Sequence, residues 1–249
     1  MNSYKLVIAY DGTDYHGWQW QDNAVTVDSI LRKTFLRTFK QTEMHIVGAS
    51  RTDAGVHAQG QVVRIGTHMD IDPQKLMYVF NNALSDDIII TECSRIDLES
   101  RFHPQHDIAK KIYTYRFYLK RPGPMKQRYG CFIGYPIDTY KLVQALTVFV
   151  GTHDFRAFSK ELEAKNTVRT IDGITVTSCK TTGAHIITVI GKSFLRHMIR
   201  RIVGAAFEIA RKPNRSCQEL KQLLLIPQLV KNLPTAPAKG LCLESITYQ

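Results

Sequence analysis

The sequence predicts an α+β fold built from two units that share one element order, β-α-β-β-α-β. Short apolar runs with strand character alternate with helical patterns, turn residues separate them, and both halves repeat the same order without any visible sequence repeat. Two such ferredoxin-like units would place their antiparallel sheets side by side around a basic cleft. We place the seam near residues 100–108, giving an N-terminal domain of residues 1–104 and a C-terminal domain of residues 105–249.

The first half begins with a strand at residues 5–10 and a polar, aromatic loop. An amphipathic helix starts near Thr26, because apolar residues then recur at three- and four-residue steps. Two strands follow at about residues 45–50 and 61–66. Asp72-Pro73 opens a second helix that runs to about residue 84, and residues 88–91 form the fourth strand.

The second half is predicted in the same way. Its elements are a strand at 110–119, a helix at 138–149, two strands at 171–177 and 185–190, a long helix at 194–211 and a final strand at 241–247. An extra helix near residues 216–225 and a proline-marked loop precede the last strand.

Composition excludes several classes of protein. The chain has 249 residues, 44% of them hydrophobic, with no apolar run near the roughly 18 residues of a membrane span and no signal peptide at the start. We therefore expect a cytosolic protein without membrane contact. Five cysteines in no close pair predict neither a disulfide framework nor a zinc site, and we expect no metal or other cofactor.

Positive charge is concentrated in two windows of a chain whose net charge is +11. Residues 101–130 hold eight Lys or Arg against one Asp, and residues 191–220 hold seven against two Glu. Tyrosine and phenylalanine are interleaved with the first group, which favours nucleic acid as the partner. The alternative is a basic protein without a polyanionic ligand.

Residues 49–60 look like an active-site loop. Asp53 lies between Arg51 and His57, with Gly55 just after it, and predicted strands flank the segment. Functional residues concentrate on loops that a rigid scaffold presents in this way. Local chemistry alone favours an ordinary turn instead, with Asp53 bonded to its own backbone and Gly55 at positive φ.

Three further candidates lie in the second half. Tyr113 follows two lysines at the entrance of a predicted strand, where it either packs into the core or keeps an accessible ring that can stack on a base. On a helical wheel from residue 194, Arg200 falls at the border of the buried arc, whereas Arg201 and Gly204 fall on the opposite, polar side. Arg169 enters a strand and suits either a phosphate or a surface ion pair.

Taken together, these segments resemble the tRNA pseudouridine synthases of the TruA type. The most specific matches are the Asp53 loop and the Phe-Leu-x-His-Met-x-Arg pattern. In chain order the matching segments are Tyr10-Asp11-Gly12-Thr13, Gly17-Trp18-Gln19, Arg51-Thr52-Asp53-Ala54-Gly55-Val56-His57-Ala58, Phe102-His103, Lys111-Ile112-Tyr113-Thr114-Tyr115, Arg169, Phe194-Leu195-Arg196-His197-Met198-Ile199-Arg200, Ile202-Val203-Gly204 and Ala236-Pro237-Ala238-Lys239-Gly240-Leu241.

The resemblance implies a role for each matching residue. Asp53 is the nucleophile, Tyr113 packs against the target uracil and Arg200 pairs with the aspartate. Arg51 and Arg169 bind RNA phosphate or hold the flipped nucleotide, and His57 is assigned to the substrate-binding set. The family usually has Gly where this chain has Ser50; if that position requires a positive φ, Ser50 implies a different loop entrance.

The implied reaction is conversion of uridine to pseudouridine at positions 38, 39 and 40 of the tRNA anticodon stem-loop, after base flipping, by a homodimer. Two other interpretations compete with it. A non-catalytic tRNA-binding protein shares the charge and the aromatic residues but gives no reason for Asp53 to face an anionic ligand. A hydrolase using Asp53 and His57 lacks a third orienting group and an oxyanion motif.

Overall fold

The computed structural model describes residues 1–97, 99–160, 166–226, 230 and 232–249. Within these residues the strands are β1 (Asn2–Tyr10), β2 (His45–Gly48), β3 (His57–Thr67), β4 (Ile88–Ile96), β5 (Ile108–Tyr118), β6 (Cys131–Phe132), β7 (Gly151–Asp154), β8 (Val168–Cys179), β9 (Ala184–Gly191) and β10 (Leu241–Tyr248). The α-helices are α1 (Val27–Phe39), α2 (Pro73–Asn81), α3 (Pro124–Arg128), α4 (Thr139–Thr147), α5 (Met198–Arg211) and α6 (Cys217–Leu225). The predicted α+β class is confirmed.

The chain forms two compact units, residues 1–109 with 242–249 and residues 110–241. In the first unit the strands run β4-β1-β3, and β2 pairs antiparallel with β3 on its other edge. This is the order of a ferredoxin-like sheet, with β10 added in parallel at His57 and Ala58. Alternate residues Tyr4, Leu6 and Ile8 of β1 are fully buried, as expected for a strand with one covered face.

The helices of the first unit begin at the predicted signals. Thr26 caps α1 through a capping box with Ser29, and Asp72 caps α2 by accepting from the N–H groups of Gln74 and Lys75. Because the cap residues satisfy helix-end donors, they fix where each helix starts. The starts at Thr26 and Asp72-Pro73 are confirmed, although α2 ends three residues earlier than predicted.

The second unit carries the antiparallel strand order β5-β9-β8-β7, with β6 parallel to β5. Its main elements follow the predicted order β5-α4-β8-β9-α5. The closing strand of that order, β10, belongs from Cys242 onward to the first compact unit. The division into domains at residues 104 and 105 stays a prediction about independent folding.

Helix α5 differs from the prediction in two respects. It starts at Met198 rather than Phe194, because His197 takes a left-handed conformation with φ of 62°. Arg201 and Gly204, expected on the polar side, are buried. The predicted exposed face was wrong because α5 is covered nearly all round: a Cβ on Gly204 would meet the Pro234 carbonyl oxygen at 2.4 Å.

Every helix in the described part of the chain is too short or too polar to cross a membrane.

Candidate active site

In the first unit, Asp53 lies on the connection between β2 and β3. Its side chain is partly exposed, and Arg51 is exposed. The N–H of Val56 donates to the Asp53 carbonyl oxygen at 3.1 Å, and Gly55 has the positive φ, 75°, that the tight turn requires. The segment is thus a turn, as the local chemistry allowed, and Asp53 is partly exposed on it.

A second loop, between β1 and α1, holds this turn from one side. The N–H of Trp18 donates to the Thr52 carbonyl at 3.1 Å, and the Tyr10 hydroxyl lies 2.7 Å from Oγ1 of Thr52. Gly17 approaches so closely that a Cβ there would lie 2.6 Å from the Thr52 carbonyl oxygen. The two loops therefore pack backbone against backbone, and only glycine fits at the contact.

The same loop holds the turn at its far end. The N–H of Gly55 donates to the Tyr15 carbonyl at 3.2 Å, while the Tyr15 hydroxyl donates to Oδ1 of Asp87 at 2.9 Å. Burial, more than any neighbouring charge, raises the pKa of Tyr15 to about 12. Tyr15 thus remains a neutral donor at physiological pH and ties the Asp53 turn to the start of β4.

His57 is the first residue of β3, and its side chain is only 7% exposed. The N–H of Gly12 lies 3.1 Å from Nδ1 of His57, and the same nitrogen lies 3.0 Å from Oδ1 of Asp11. A neutral Nδ1 accepts from Gly12, whereas a protonated Nδ1 donates to Asp11, so the charge of the ring decides which contact is a hydrogen bond. The described contacts make His57 a support of the Asp11-Gly12 loop.

Ser50 enters the turn without strain. Among the described residues, only Lys40 and His197 have positive φ apart from glycines, so Ser50 lies in a region open to any residue. The side chain of Gln61 is fully buried, accepts from the Ser50 N–H at 3.1 Å and donates to the Ser50 carbonyl at 2.6 Å. The altered loop entrance that a positive φ would have implied is therefore not needed.

In the second unit, Tyr113 lies in β5 opposite Val189 of β9. Its ring meets the ring of Phe194 edge to face, with centroids 5.4 Å apart, and the residue is 6% exposed. In this conformation Phe194 and the sheet cover the ring, which is the core-packing alternative; a stacking role for Tyr113 stays a prediction. Gly191 makes room for Phe194, since a Cβ there would lie 3.1 Å from its ring.

Arg200 lies in the first turn of α5 and is held by the segment before β10. Its Nε donates to the Ala236 carbonyl at 2.9 Å, and the Ala236 N–H donates to the Arg200 carbonyl at 2.9 Å. The buried Tyr115 hydroxyl in turn donates to Pro237 at 3.0 Å. Three of the segments that carry the resemblance, around residues 115, 200 and 236, therefore meet within the second unit.

Arg169 lies in β8 opposite His153 of β7. Its Nη1 donates to the backbone carbonyls of Asn166 and Val168, at 3.2 and 2.7 Å. These local bonds hold the guanidinium near the start of its own strand.

Sequence patterns did not indicate the contacts of three residues that shape these sites: Gln61, Arg201 and Gly17. Gln61 did not stand out in the sequence, because other polar residues, Gln59 and Arg64, occupy the same strand. Arg201 looked like a surface cation on the helical wheel, yet it donates from the core to the carbonyls of Ala157 and Ser159 at 3.1 and 2.7 Å. Gly17 showed no sign of the close contact that it makes.

Comparisons with known proteins agree with this arrangement. The model of a family described as tRNA pseudouridine synthase matches residues 6–103 and 145–249. Proteins named tRNA pseudouridine synthase A from Thermoanaerobacter sp. (strain X514) and Phytoplasma mali (strain AT) are 35% and 37% identical to the chain, over 100% and 99% of its length and 100% and 98% of their own. The protein of the same name from Streptococcus equi subsp. equi is 35% identical, with both chains fully covered.

Among solved structures, a chain in the crystal structure of a Cbf5-Nop10-Gar1 complex aligns with 82% of this chain and 54% of its own length, at 10% identity and a TM-score of 0.34. The family assignment rests on the full-length relatives and the family model. Both the Asp53 turn and the Arg200 helix fall inside the matched ranges, and the chain belongs to the tRNA pseudouridine synthase family, a family of isomerases.

Proposed function

We propose that this protein converts uridine to pseudouridine at positions 38, 39 and 40 of the tRNA anticodon stem-loop, with Asp53 as the nucleophile. One observation carries the proposal: Asp53 is a partly exposed residue on a turn, and the loop between β1 and α1 bonds to the backbone of that turn both before and after Asp53. A fixed turn holds a reactive group in one geometry, which is where much of an enzyme's rate acceleration originates.

The reaction requires a group that attacks, holds and releases the nucleotide. The bond from ribose C1′ to N1 of the uracil breaks and a bond from C1′ to C5 forms, while C5 loses its hydrogen as a proton and N1 takes up a proton. A carboxylate suits this exchange because it makes covalent intermediates that can collapse again, as in retaining glycosidases at a related carbon. Attack by Asp53 at C6 of the base and attack at C1′ both fit a single carboxylate.

Base flipping brings the uridine to that carboxylate. Extruding a stacked base costs a few kcal/mol, which stacking and phosphate contacts must offset. Tyr113 supplies the stacking in this proposal, and its ring becomes available when Phe194, partly exposed beside it, gives way to the base. Arg200 pairs with Asp53, while Arg51, Arg169 and His57 complete the substrate-binding set.

The central test replaces the carboxylate. Asp53→Asn and Asp53→Ala are expected to bind tRNA like the wild type and to form no pseudouridine, which carbodiimide mapping of treated tRNA measures. Asp86→Asn, at an exposed carboxylate of the same unit, is the matched control and should retain full activity. Normal product from either Asp53 variant would exclude Asp53 as the nucleophile.

Tyr113→Phe separates stacking from the action of the hydroxyl group. The variant keeps the ring, so we expect a folded protein that binds tRNA but turns over more slowly. Tritium release from tRNA labelled at C5 of uridine reports the turnover. If Tyr113→Phe released tritium at the wild-type rate, the hydroxyl would have no role. If the wild-type protein released no tritium, the alternative of a non-catalytic tRNA-binding protein would be favoured.

We also propose that the protein acts as a cytosolic homodimer whose two protomers together hold a single tRNA. Light scattering coupled to size-exclusion chromatography should give twice the mass of the 28.4 kDa chain. A monomeric mass at micromolar concentration, with full activity, would contradict this part of the proposal.

A further inference from the structure

Basic residues gather at one end of the sheet in the second unit, in stretches of the sequence that carry no acidic residue. Neither residues 108–137 nor residues 173–207 contain an aspartate or glutamate. Four cations from these two stretches are exposed: Lys120 and Arg121 just after β5, Lys126 within α3, and Lys180 just after β8. We call these four residues the distal basic patch.

Strand pairing brings the four cations to one place. Ala184 of β9 pairs with Tyr118 of β5 on one side and with Cys179 of β8 on the other. Lys120 and Lys180 therefore leave the sheet at the same end, from strands about 10 Å apart. Nζ of Lys126 lies 3.4 Å from the Thr182 carbonyl oxygen and fastens α3 beside the β8–β9 turn.

The patch is stiff and carries large exposed side chains. The sequence Arg121-Pro122-Gly123-Pro124 leads into α3, and each proline fixes its own φ. Met125, in α3, is 80% exposed. A surface of several clustered cations beside a large exposed side chain suits a nucleic-acid backbone better than a small anion, since phosphates repeat along the strand.

The patch is separate from the residues that act on the base. Tyr113 and Tyr118 lie on one strand, five residues apart, which corresponds to about 17 Å. Lys120 and Arg121 lie further along the chain than Tyr118, so their side chains do not touch a uracil stacked on Tyr113.

We infer that the distal basic patch is a second tRNA-binding surface, which holds backbone phosphates of the tRNA away from the target nucleotide. This inference rests on tRNA being the substrate. Such contacts are independent of sequence and contribute to binding rather than to the chemical step. The patch therefore adds affinity for any tRNA whose target uridine is in place.

The experiment compares two triple variants that lose the same charge. Lys120→Gln/Arg121→Gln/Lys180→Gln removes three cations of the patch. Arg211→Gln/Lys212→Gln/Arg215→Gln, the control, removes three cations of the same unit that already pair with Glu208 or Glu219. Affinity for full-length tRNA is measured at several salt concentrations, with pseudouridine formation measured in parallel.

For the patch variant we expect the slope of log Kd against log salt to fall by roughly 2 to 3, and affinity near physiological salt to fall on the order of tenfold. KM should rise while kcat stays unchanged. The control variant should keep the wild-type slope. Equal slopes for the wild type, the patch variant and the control variant would overturn the inference. It would also be overturned if the wild-type protein bound anionic lipid vesicles more tightly than tRNA and the patch variant lost that binding.

A second measurement does not depend on activity. Hydrogen bonds from Thr181 and Thr182 lower the pKa of the Cys179 thiol to about 7, whereas burial raises the pKa of Cys93 to about 11. Iodoacetamide should therefore alkylate Cys179 first. Bound tRNA should slow this alkylation, as read by mass spectrometry with Cys179→Ser as the blank; an unchanged rate would place the RNA elsewhere.

The two proposals can fail separately. Binding slopes and alkylation rates are measured without product, and they can be repeated in the Asp53→Asn background. Normal product from Asp53→Asn together with a reduced slope for the patch variant would refute the nucleophile and leave the patch standing. If Asp53→Asn formed no product and the patch variant kept the wild-type slope, the nucleophile would stand and the patch alone would be refuted.

Discussion

The Asp53 turn of the first unit and the entrance of α5 in the second are held in place by different means. Around Asp53, two loops meet backbone to backbone, and Gly12 and Gly17 leave no space for a side chain between them. Around α5, Arg200 and Arg201 extend their side chains to backbone carbonyls of other segments. Adding an atom should therefore damage the first site, whereas removing a side chain should damage the second.

The largest effect is expected for Gly12→Ala. Its Cβ would lie 2.0 Å from the carbonyl oxygen of Val56, so the Asp53 turn must move. We expect a loss of about 2–3 kcal/mol in the free energy of unfolding and, since displacement by about 1 Å disrupts catalytic geometry, about a hundredfold loss of activity. Urea denaturation and single-turnover pseudouridine formation measure the two.

Gly173→Ala is the matched control, because a Cβ at Gly173 meets nothing within 4 Å. It should leave both quantities near wild type. If Gly12→Ala behaved like this control, close backbone contact would not be what fixes the turn.

Arg201→Met tests how far a side chain that contacts backbone carbonyls stabilises the second unit. Burial disfavours the charged form and lowers the pKa of this guanidinium, yet the side chain holds the carbonyls of Ala157 and Ser159. Methionine fills similar space but leaves both acceptors buried, which should cost about 2 kcal/mol in the free energy of unfolding. Thermal unfolding measures it. Arg196→Met, at an exposed position, should change it little; equal losses in both variants would mean that the carbonyl contacts do not matter.

Tyr10→Phe asks how much one side-chain hydrogen bond adds to the backbone contacts of the first site. The variant loses the buried contact with Oγ1 of Thr52 and should be less stable by about 1 kcal/mol, with a severalfold loss of activity. Tyr78→Phe, on a residue 69% exposed, is the control and should have no effect. A loss as large as that of Gly12→Ala would mean that side chains dominate at this site as well.

The smallest effect is expected for Ser50→Gly, which restores the residue usual in the family. Since Ser50 does not have a positive φ, glycine relieves no strain and should cost less than about 1 kcal/mol through added freedom of the unfolded chain. Chemical denaturation measures whether the free energy of unfolding falls or rises. A gain in stability would show that serine is strained at the loop entrance.

The sequence predicted the parts of this molecule that depend on local patterns. The caps at Thr26 and Asp72, the α+β class and the element order follow from periodicity and turn residues, which act over a few positions. The burial of Arg201 did not follow, because the carbonyls that it contacts belong to segments more than 40 residues away in the chain. The start of α5 did not follow either, because a left-handed conformation at a residue such as His197 is rare outside glycine. Likewise, the side chains that fix the Asp53 turn, such as Gln61, became recognisable only once the strands were paired.

The position of β10 has a consequence for the order of events on the ribosome. Cys242 and Leu243 pair with His57 and Ala58, directly after the Asp53 turn, yet residues 110–241 are synthesised between these two strands. At typical translation rates, on the order of ten seconds pass before the edge of β3 beside Asp53 receives its partner. A nascent chain can therefore fold its first sheet early, but the β3–β10 pairing next to Asp53 cannot form until the whole second unit has been made.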